Sequence, residues 1–422
     1  MTRRPRILVI APYMCRGDTA SGDLRLQRII EQLTSFAKVD FLTPEAEPAL
    51  GSGDRRYWSL LRKLGVTIVN PLFADRLPLW LSSRTRPYDW ILIEFWHLAE
   101  QLNSSLEVLR QEFPNTLIAI DSVDLHFLRE RAALEHGSTI YGHKLDVELR
   151  QQREISTYLG ANLVIACSQE DVKALASVCP RPIIEIPNLV ISRQRGERAR
   201  GNAILFVGGF RHQPNVDAVL WFTHEIFPII RVRMPDAVFR IAGSHPPEEI
   251  YALQAIPGVE VLGYVSDTSM YLDNAAVSVA PLRYGAGMKG KVTEALSSGL
   301  PVVTTSFGAQ GLGAVSGKHL YIADNAADFA EGVIKTLTDP AKAEQMGVEG
   351  QALVEAICGS KVVCNKLIKT FSHCVPSTSR SLVSWGRCVN ARAMSLILPL
   401  SIQLIRAARL MKRKVGWPQS AL

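Results

Sequence analysis

Short runs of uniformly apolar residues recur along this chain, with longer amphipathic stretches between them. A strand buried on both faces needs no polar alternation, and parallel strands with helices on both faces are buried in that way. The pattern therefore predicts an α/β protein of doubly wound parallel sheets. In the first half the expected strands are Ile7–Ile10, Val39–Leu42, Val66–Val69, Trp90–Ile93, Leu117–Ile120, Leu163–Ala166 and Ile183–Ile186. Apolar residues three and four apart predict helices around 24–36 and 142–159. A polar, glycine-containing stretch, residues 193–202, then reads as a linker. A second series follows: Ile204–Val207, Val238–Ile241, Val259–Leu262, Val277–Ala280, Val302–Thr305 and Leu320–Ile322. Helices are expected near 215–232, 291–298, 326–337 and 341–357. Two Rossmann-like domains follow, residues 1–195 and 196–375, with ligands expected at the carboxyl ends of the strands.

A length of 422 residues agrees with more than one core. No run reaches the roughly 18 apolar residues that a membrane-spanning helix needs. Arg3-Arg4-Pro5-Arg6 ahead of Ile7–Ile10 resembles a signal peptide only briefly, since Pro12 and Arg16 break the apolar stretch. The seven cysteines form no Cys-x-x-Cys pair, which favours reduced thiols and a cytoplasmic setting, with Cys167 as inert core. Charge is concentrated at one end. Residues 376–422 hold eight Lys and Arg and no Asp or Glu, so their +8 exceeds the +7 of the whole chain and leaves −1 for residues 1–375. This basic extension is expected either to pack back on the first domain or to make peripheral contact with anionic lipid. Nucleic acid is a weak use for it, since no recognition module accompanies it.

The segment Gly285-Ala-Gly-Met-Lys-Gly-Lys-Val-Thr-Glu294 carries the clearest chemistry. Gly285 and Gly287 let backbone approach a ligand, and the helix that follows presents unpaired N–H groups and a positive dipole end. Lys289 and Lys291 sit at that same end, where lysines oppose the dipole unless an anion is bound. Glu294 lies within about a turn and can accept two hydroxyl hydrogen bonds. The bland alternative is a tight turn with solvated lysines. Gly208 and Gly209 end the first strand of the second series, again where backbone can meet a phosphate, with Arg211 and His212 just beyond. In the first domain, Ser21 and Gly22 open a helix facing the expected cleft, as phosphate donors or as an ordinary cap. Asp121, Asp124 and His126 cluster after a strand's carboxyl end, with His97 a weaker candidate. No Asp-x-Asp triplet, zinc motif or P-loop occurs, so no metal site is expected.

With Phe206-Val-Gly-Gly, Pro214-Asn-Val-Asp217, Val261-Leu-Gly-Tyr-Val265, Ala280-Pro-Leu-Arg283, Gly299-Leu-Pro-Val-Val303 and Gly308-Ala-Gln-Gly-Leu312 in order around that segment, the chain resembles a GT-B fold glycosyltransferase of the family 4 type. The resemblance spans roughly residues 5–370. It implies two Rossmann-like domains facing a cleft, with the donor mainly on the second and the acceptor mainly on the first. It implies a hexosyltransferase-type enzyme that uses a nucleoside-diphosphate sugar, requires no cofactor and retains anomeric configuration. The acceptor would be a glycan or lipid-linked hydroxyl in polysaccharide synthesis. Glu294 would hold the ribose. Lys289 and Lys291 would meet the diphosphate, helped by backbone at Gly208, Gly209, Gly285 and Gly287, and His126 with Asp121 would serve the catalytic cleft. The family often has a glutamate eight residues before the position of Glu294, and Ala286 stands there instead. That departure leaves open a GT-B scaffold that binds a sugar nucleotide or glycan without turnover. A sugar-nucleotide epimerase is a third reading.

Overall fold

The computed structural model describes residues 3–69, 77, 87–193 and 201–372. The basic extension 376–422 and most of the linker lie outside the described residues. All described strands and helices fall in one compact unit, Met1–Arg76 with Pro87–Val375.

All thirteen expected strands form. The first sheet contains β1 (Arg6–Ile10), β2 (Lys38–Leu42), β3 (Thr67–Ile68), β4 (Trp90–Glu94), β5 (Leu117–Asp121), β6 (Leu163–Ala166) and β7 (Ile183–Glu185). Their order in space is β3-β2-β1-β4-β5-β6-β7, with parallel pairing throughout. The second contains β8 (Ala203–Val207), β9 (Val238–Ala242), β10 (Val259–Gly263), β11 (Val277–Ala280), β12 (Val302–Thr304) and β13 (Tyr321–Ile322), in the order β10-β9-β8-β11-β12-β13 and again parallel. Each sheet reverses its strand order once, between β1 and β4 and between β8 and β11. A crevice opens at the carboxyl ends of the strands at such a reversal. Those ends carry Ala11 and Phe95 in the first sheet, and Gly208 and the Arg283–Lys291 loop in the second.

The central strands are dry, which explains their uniform apolarity. Ile7, Leu8, Val9, Ile91 and Ile93 of the first sheet have no measurable exposure, nor do Ile204, Leu205 and Phe206 of the second. One face of the first sheet packs on the Ser21–Phe36 helix and, less expectedly, on the last described helix, Ser360–Phe371. Val363, Leu367 and Phe371 are fully buried there, and the Phe371 ring meets Trp90 edge-on at 5.1 Å. Sequence order counts this helix with the second series, yet its apolar face completes the first core. The two halves also share a core: Cys167 and Val190 of the first pack with Met288, Val292 and Leu312 of the second. The Cys167 thiol is pushed up by burial and donates to Val123 O at 2.6 Å, in keeping with an inert role.

A buried ion pair ties the first half together. Arg25 donates to Asp121 through one amino group and to Ile186 O at 2.8 Å through the other. Both side chains are almost wholly buried. Removing one partner strands a charge where water cannot reach it. Asp121→Ala should therefore destabilise the fold by about 3–5 kcal/mol, whereas Arg25→Met with Asp121→Ala together should cost less. Chemical denaturation of both variants checks this, and equal losses would contradict it.

Candidate functional site

The site forms where two helix N-termini meet across the cleft. The Ser21–Phe36 helix begins at the mouth of the first crevice and the Gly290–Ser297 helix at the mouth of the second. They approach so closely that a Cβ built on Gly290 would lie 2.6 Å from Ser21 Cβ. Neither end has a side-chain cap. The only acidic residue in the first turn of the Ser21 helix, Asp23, is turned back to accept from Arg16 N at 2.9 Å. The Gly290 helix has no acidic residue in its first turn. The contrast is the His126–Glu135 helix, whose first two N–H groups are satisfied internally by the buried Glu154 carboxylate at 3.1 and 2.9 Å. Two uncapped, like-signed dipole ends facing each other form a ready anion site.

The glycines ahead of the second helix have the geometry the sequence suggests. Gly287 takes φ +70 and Gly285 φ +149, conformations open to glycine. Gly287 also touches the first half, since a Cβ there would stand 3.0 Å from Asp124 Cβ. Gly208 lies against Asn215, where a Cβ would come 2.9 Å from the amide nitrogen, and Gly209 lies against Ser244 and Thr19 O. Ser21 sits directly on the interface, and Gly22 lies one residue deeper, near Val123.

The two lysines differ in placement. Lys289 folds back into its own loop and donates to Ala286 O at 2.8 Å and Gly287 O at 2.6 Å, with Gln310 Oε1 at 3.4 Å. Lys291 instead reaches the β8 side, donating to Asn215 Oδ1 and lying 4.9 Å from the centre of the Phe206 ring. Burial depresses both ammonium groups, Lys289 to about 8 and Lys291 to about 7, and Lys289 adds to the shift at Lys291. Glu294 accepts from Thr268 Oγ1 at 3.3 Å. It also borders a cavity of about 20 Å³ lined by Ser21, Arg25, Arg28, Asn188 and Gly290. That volume holds about one water.

On the first half the candidates separate. Asp121 is not in the open cleft: it is fully buried and taken up by Arg25, so its expected catalytic place finds no support in the geometry. Asp121 instead accepts from Val123 N at 3.1 Å, steadying a turn in which Val123 has φ +61. That turn carries Asp124 and His126 to the cleft, with His126 Nε2 3.3 Å from Asp124 Oδ1. His97 and His126 lie with ring centres 5.7 Å apart. Burial, then His126, lowers His97 to about 4. Burial opposes ionisation of Asp124, but Arg129 and His126 outweigh it and hold the carboxyl well below its usual range. From the second half, His212 faces this group and is lowered to about 3, first by burial and then by Arg129 and Lys291. Arg129 and Asn215 were not singled out from sequence; Arg129 sits one turn after His126, the only signal available for it. A polar clasp closes one rim, with Tyr264 OH donating to Asp18 Oδ2 at 2.7 Å and Ser244 Oγ donating to Thr19 O at 3.1 Å. Among the described residues no group of three His, Cys, Asp or Glu is arranged to hold a metal ion. Among them, too, no helix is long and apolar enough to cross a membrane.

Two parallel, doubly wound sheets with facing crevices define a GT-B fold. Solved structures share it: sucrose-phosphate synthase from Thermosynechococcus elongatus has a TM-score of 0.67 at 16% identity, covering 88% of this chain and 98% of that one. HepE from Anabaena, in complex with UDP and glucose, has a TM-score of 0.63 at 14% identity, covering 87% and 99%. Residues 201–339 of this chain match the family model Glycosyl transferases group 1. A curated relative, an uncharacterized 44.6 kDa protein in the cps region of Klebsiella pneumoniae, is 24% identical over 174 residues. The match spans 39% of this chain and 45% of that relative's length.

The lysine shifts give a signed expectation. A folded-state value near 7 means that Lys291 prefers the neutral amine above that pH. A bound diphosphate favours the ammonium instead. Binding should therefore take up protons above about pH 7 and weaken as pH rises towards the normal lysine value. Calorimetry of pyrophosphate binding in buffers of different ionisation heat measures the uptake. Lys291→Met should remove much of it, and proton release on binding would contradict the assignment.

Proposed function

We propose that this protein is a retaining, metal-independent glycosyltransferase that moves a sugar from a nucleoside-diphosphate sugar to a hydroxyl acceptor in glycan synthesis. The observation that carries this reading is the pair of uncapped helix N-termini meeting at Ser21 and Gly290, with Lys291 beside them, on a GT-B fold. Two dipole ends and an ammonium suit a diphosphate, which gains charge as the sugar leaves it. Glu294, four residues into the same helix, would hold the ribose hydroxyls, and its place beside a small cavity supports that role. UDP is the first nucleotide to test, because HepE has been solved with UDP-glucose and the pneumococcal O-GlcNAc transferase GtfA with UDP and GlcNAc. The relative in a cps region supports a role in polysaccharide assembly.

The reaction needs little covalent work from the protein. The bond from the anomeric carbon to the β-phosphate oxygen breaks, and the acceptor oxygen attacks from the same face. The departing phosphate takes the acceptor proton, so no protein base is required. Backbone N–H groups at Ser21, Gly22, Gly287 and Gly290 and the Lys291 ammonium stabilise the leaving charge without reorganising, which is how preorganised donors lower a barrier. Gly208 and Gly209 leave room for phosphate beside β8. Lys289 acts through the loop it braces, and His126 faces the sugar. Acceptor contact falls to the first half, and the cytoplasmic face of a membrane would suit a lipid-linked acceptor.

Lys291→Ala should lower turnover by about 10²–10³, the loss typical of one preorganised donor. Full activity in EDTA is expected, together with retained configuration by proton NMR of the product. Wild-type turnover in Lys291→Ala would remove that lysine from the mechanism. Dependence on added divalent metal, or an inverted product, would overturn the corresponding part of the reading.

A further inference from the structure

Arg129 belongs to the acceptor-side half, yet it stands in the electrostatic neighbourhood of the donor loop. It lies on the His126–Glu135 helix and pairs with Asp124 through one amino group. Its guanidinium carbon is 5.8 Å from the centre of the Tyr141 ring. Its Nε is buried and has no hydrogen-bond partner. A buried donor left unmatched is costly, and such atoms in a native fold point to a missing partner. Asp124 in turn abuts Gly287, with only 3.0 Å to spare for a Cβ, so the ion pair is seated against the loop that opens the second crevice. Lys289 and His212, both from the second half, feel the Arg129 charge.

An isolated Asp124 carboxylate at this place would repel a diphosphate. Arg129 removes that repulsion and, with five donors against the Asp124 carboxylate and the Tyr141 hydroxyl and its Nε unmatched, retains hydrogen-bonding capacity in excess. We propose that Arg129 is a donor-binding residue supplied across the cleft by the acceptor-side half, giving its spare N–H groups to the β-phosphate of the nucleotide sugar. The β-phosphate is the one concerned because it carries the sugar, and the sugar must face the half that holds the acceptor. Asp124 fixes the guanidinium plane, and Tyr141 backs it. The leaving group is then fully neutralised only while both halves are together, which couples bond breaking to closure of the cleft. This rests on the nucleotide-sugar reading above.

The alternative is that Arg129 serves only to neutralise Asp124, and one set of variants separates the two. UDP, GDP and UMP are titrated by calorimetry into the full chain as wild type, Arg129→Met, and Arg129→Met with Asp124→Asn. The double variant leaves no uncompensated buried charge, so it keeps the test valid if the single variant folds poorly. Both variants should lose about tenfold to a hundredfold in UDP affinity, while UMP, which lacks the β-phosphate, binds nearly as it does to wild type. Recovery of UDP affinity in the double variant would overturn the proposal, as would equal losses for UDP and UMP. If wild type binds UDP normally and both variants do too, only the role of Arg129 falls. If wild type binds neither UDP nor GDP, the nucleotide-sugar reading falls and takes this proposal with it.

Discussion

Two helix N-termini abut at Ser21 and Gly290, and the rest of the site follows from that contact. Like-signed dipole ends repel, so the arrangement is electrostatically unfavourable unless something anionic answers it. The protein supplies no capping side chain at either end, although it supplies Glu154 to the His126 helix nearby. The approach is also sterically absolute, because Gly290 has no room for a Cβ against Ser21. The halves are held together despite the repulsion by apolar packing of Cys167 and Val190 into the Met288, Val292 and Leu312 cluster, and by polar contacts from Tyr264 to Asp18, Ser244 to Thr19 O and Asn188 to Met288 O. This packing brings two uncapped positive helix ends to one point.

Charge around that point is graded by burial. Lys291 and Lys289 are depressed towards neutrality, which reduces their mutual repulsion in the unliganded protein. His97 and His212 are held neutral. Asp124 stays ionised because Arg129 is beside it. An anion beside them would favour the ammonium form of both, most of all at Lys291, which burial depresses furthest.

The central strands were legible because they are short, dry, apolar runs, and Ile7–Ile10 or Val277–Ala280 can hardly be read otherwise. Gly287 was legible as a position where backbone comes close to something, but its neighbour Asp124 and the meeting of Gly290 with Ser21 were not, since Ser21 and Asp124 lie far away in the chain. Asp121 misled for a physical reason. A carboxylate at a strand's carboxyl end looks like a ligand group, and only the fold reveals that Arg25, nearly a hundred residues earlier, absorbs it. The sequence likewise does not show that Lys289 donates to the carbonyls of its own loop. The Ser360–Phe371 helix has the amphipathic pattern of any packed helix, and the pattern does not say which of two cores it joins.

Hydrogen exchange with and without UDP-glucose tests the central claim most directly. The backbone amides of residues 20–24 and 287–292 should both gain protection when the donor binds, because one ligand would satisfy both helix ends at once. Protection confined to other segments, or no change at either helix end, would contradict the account.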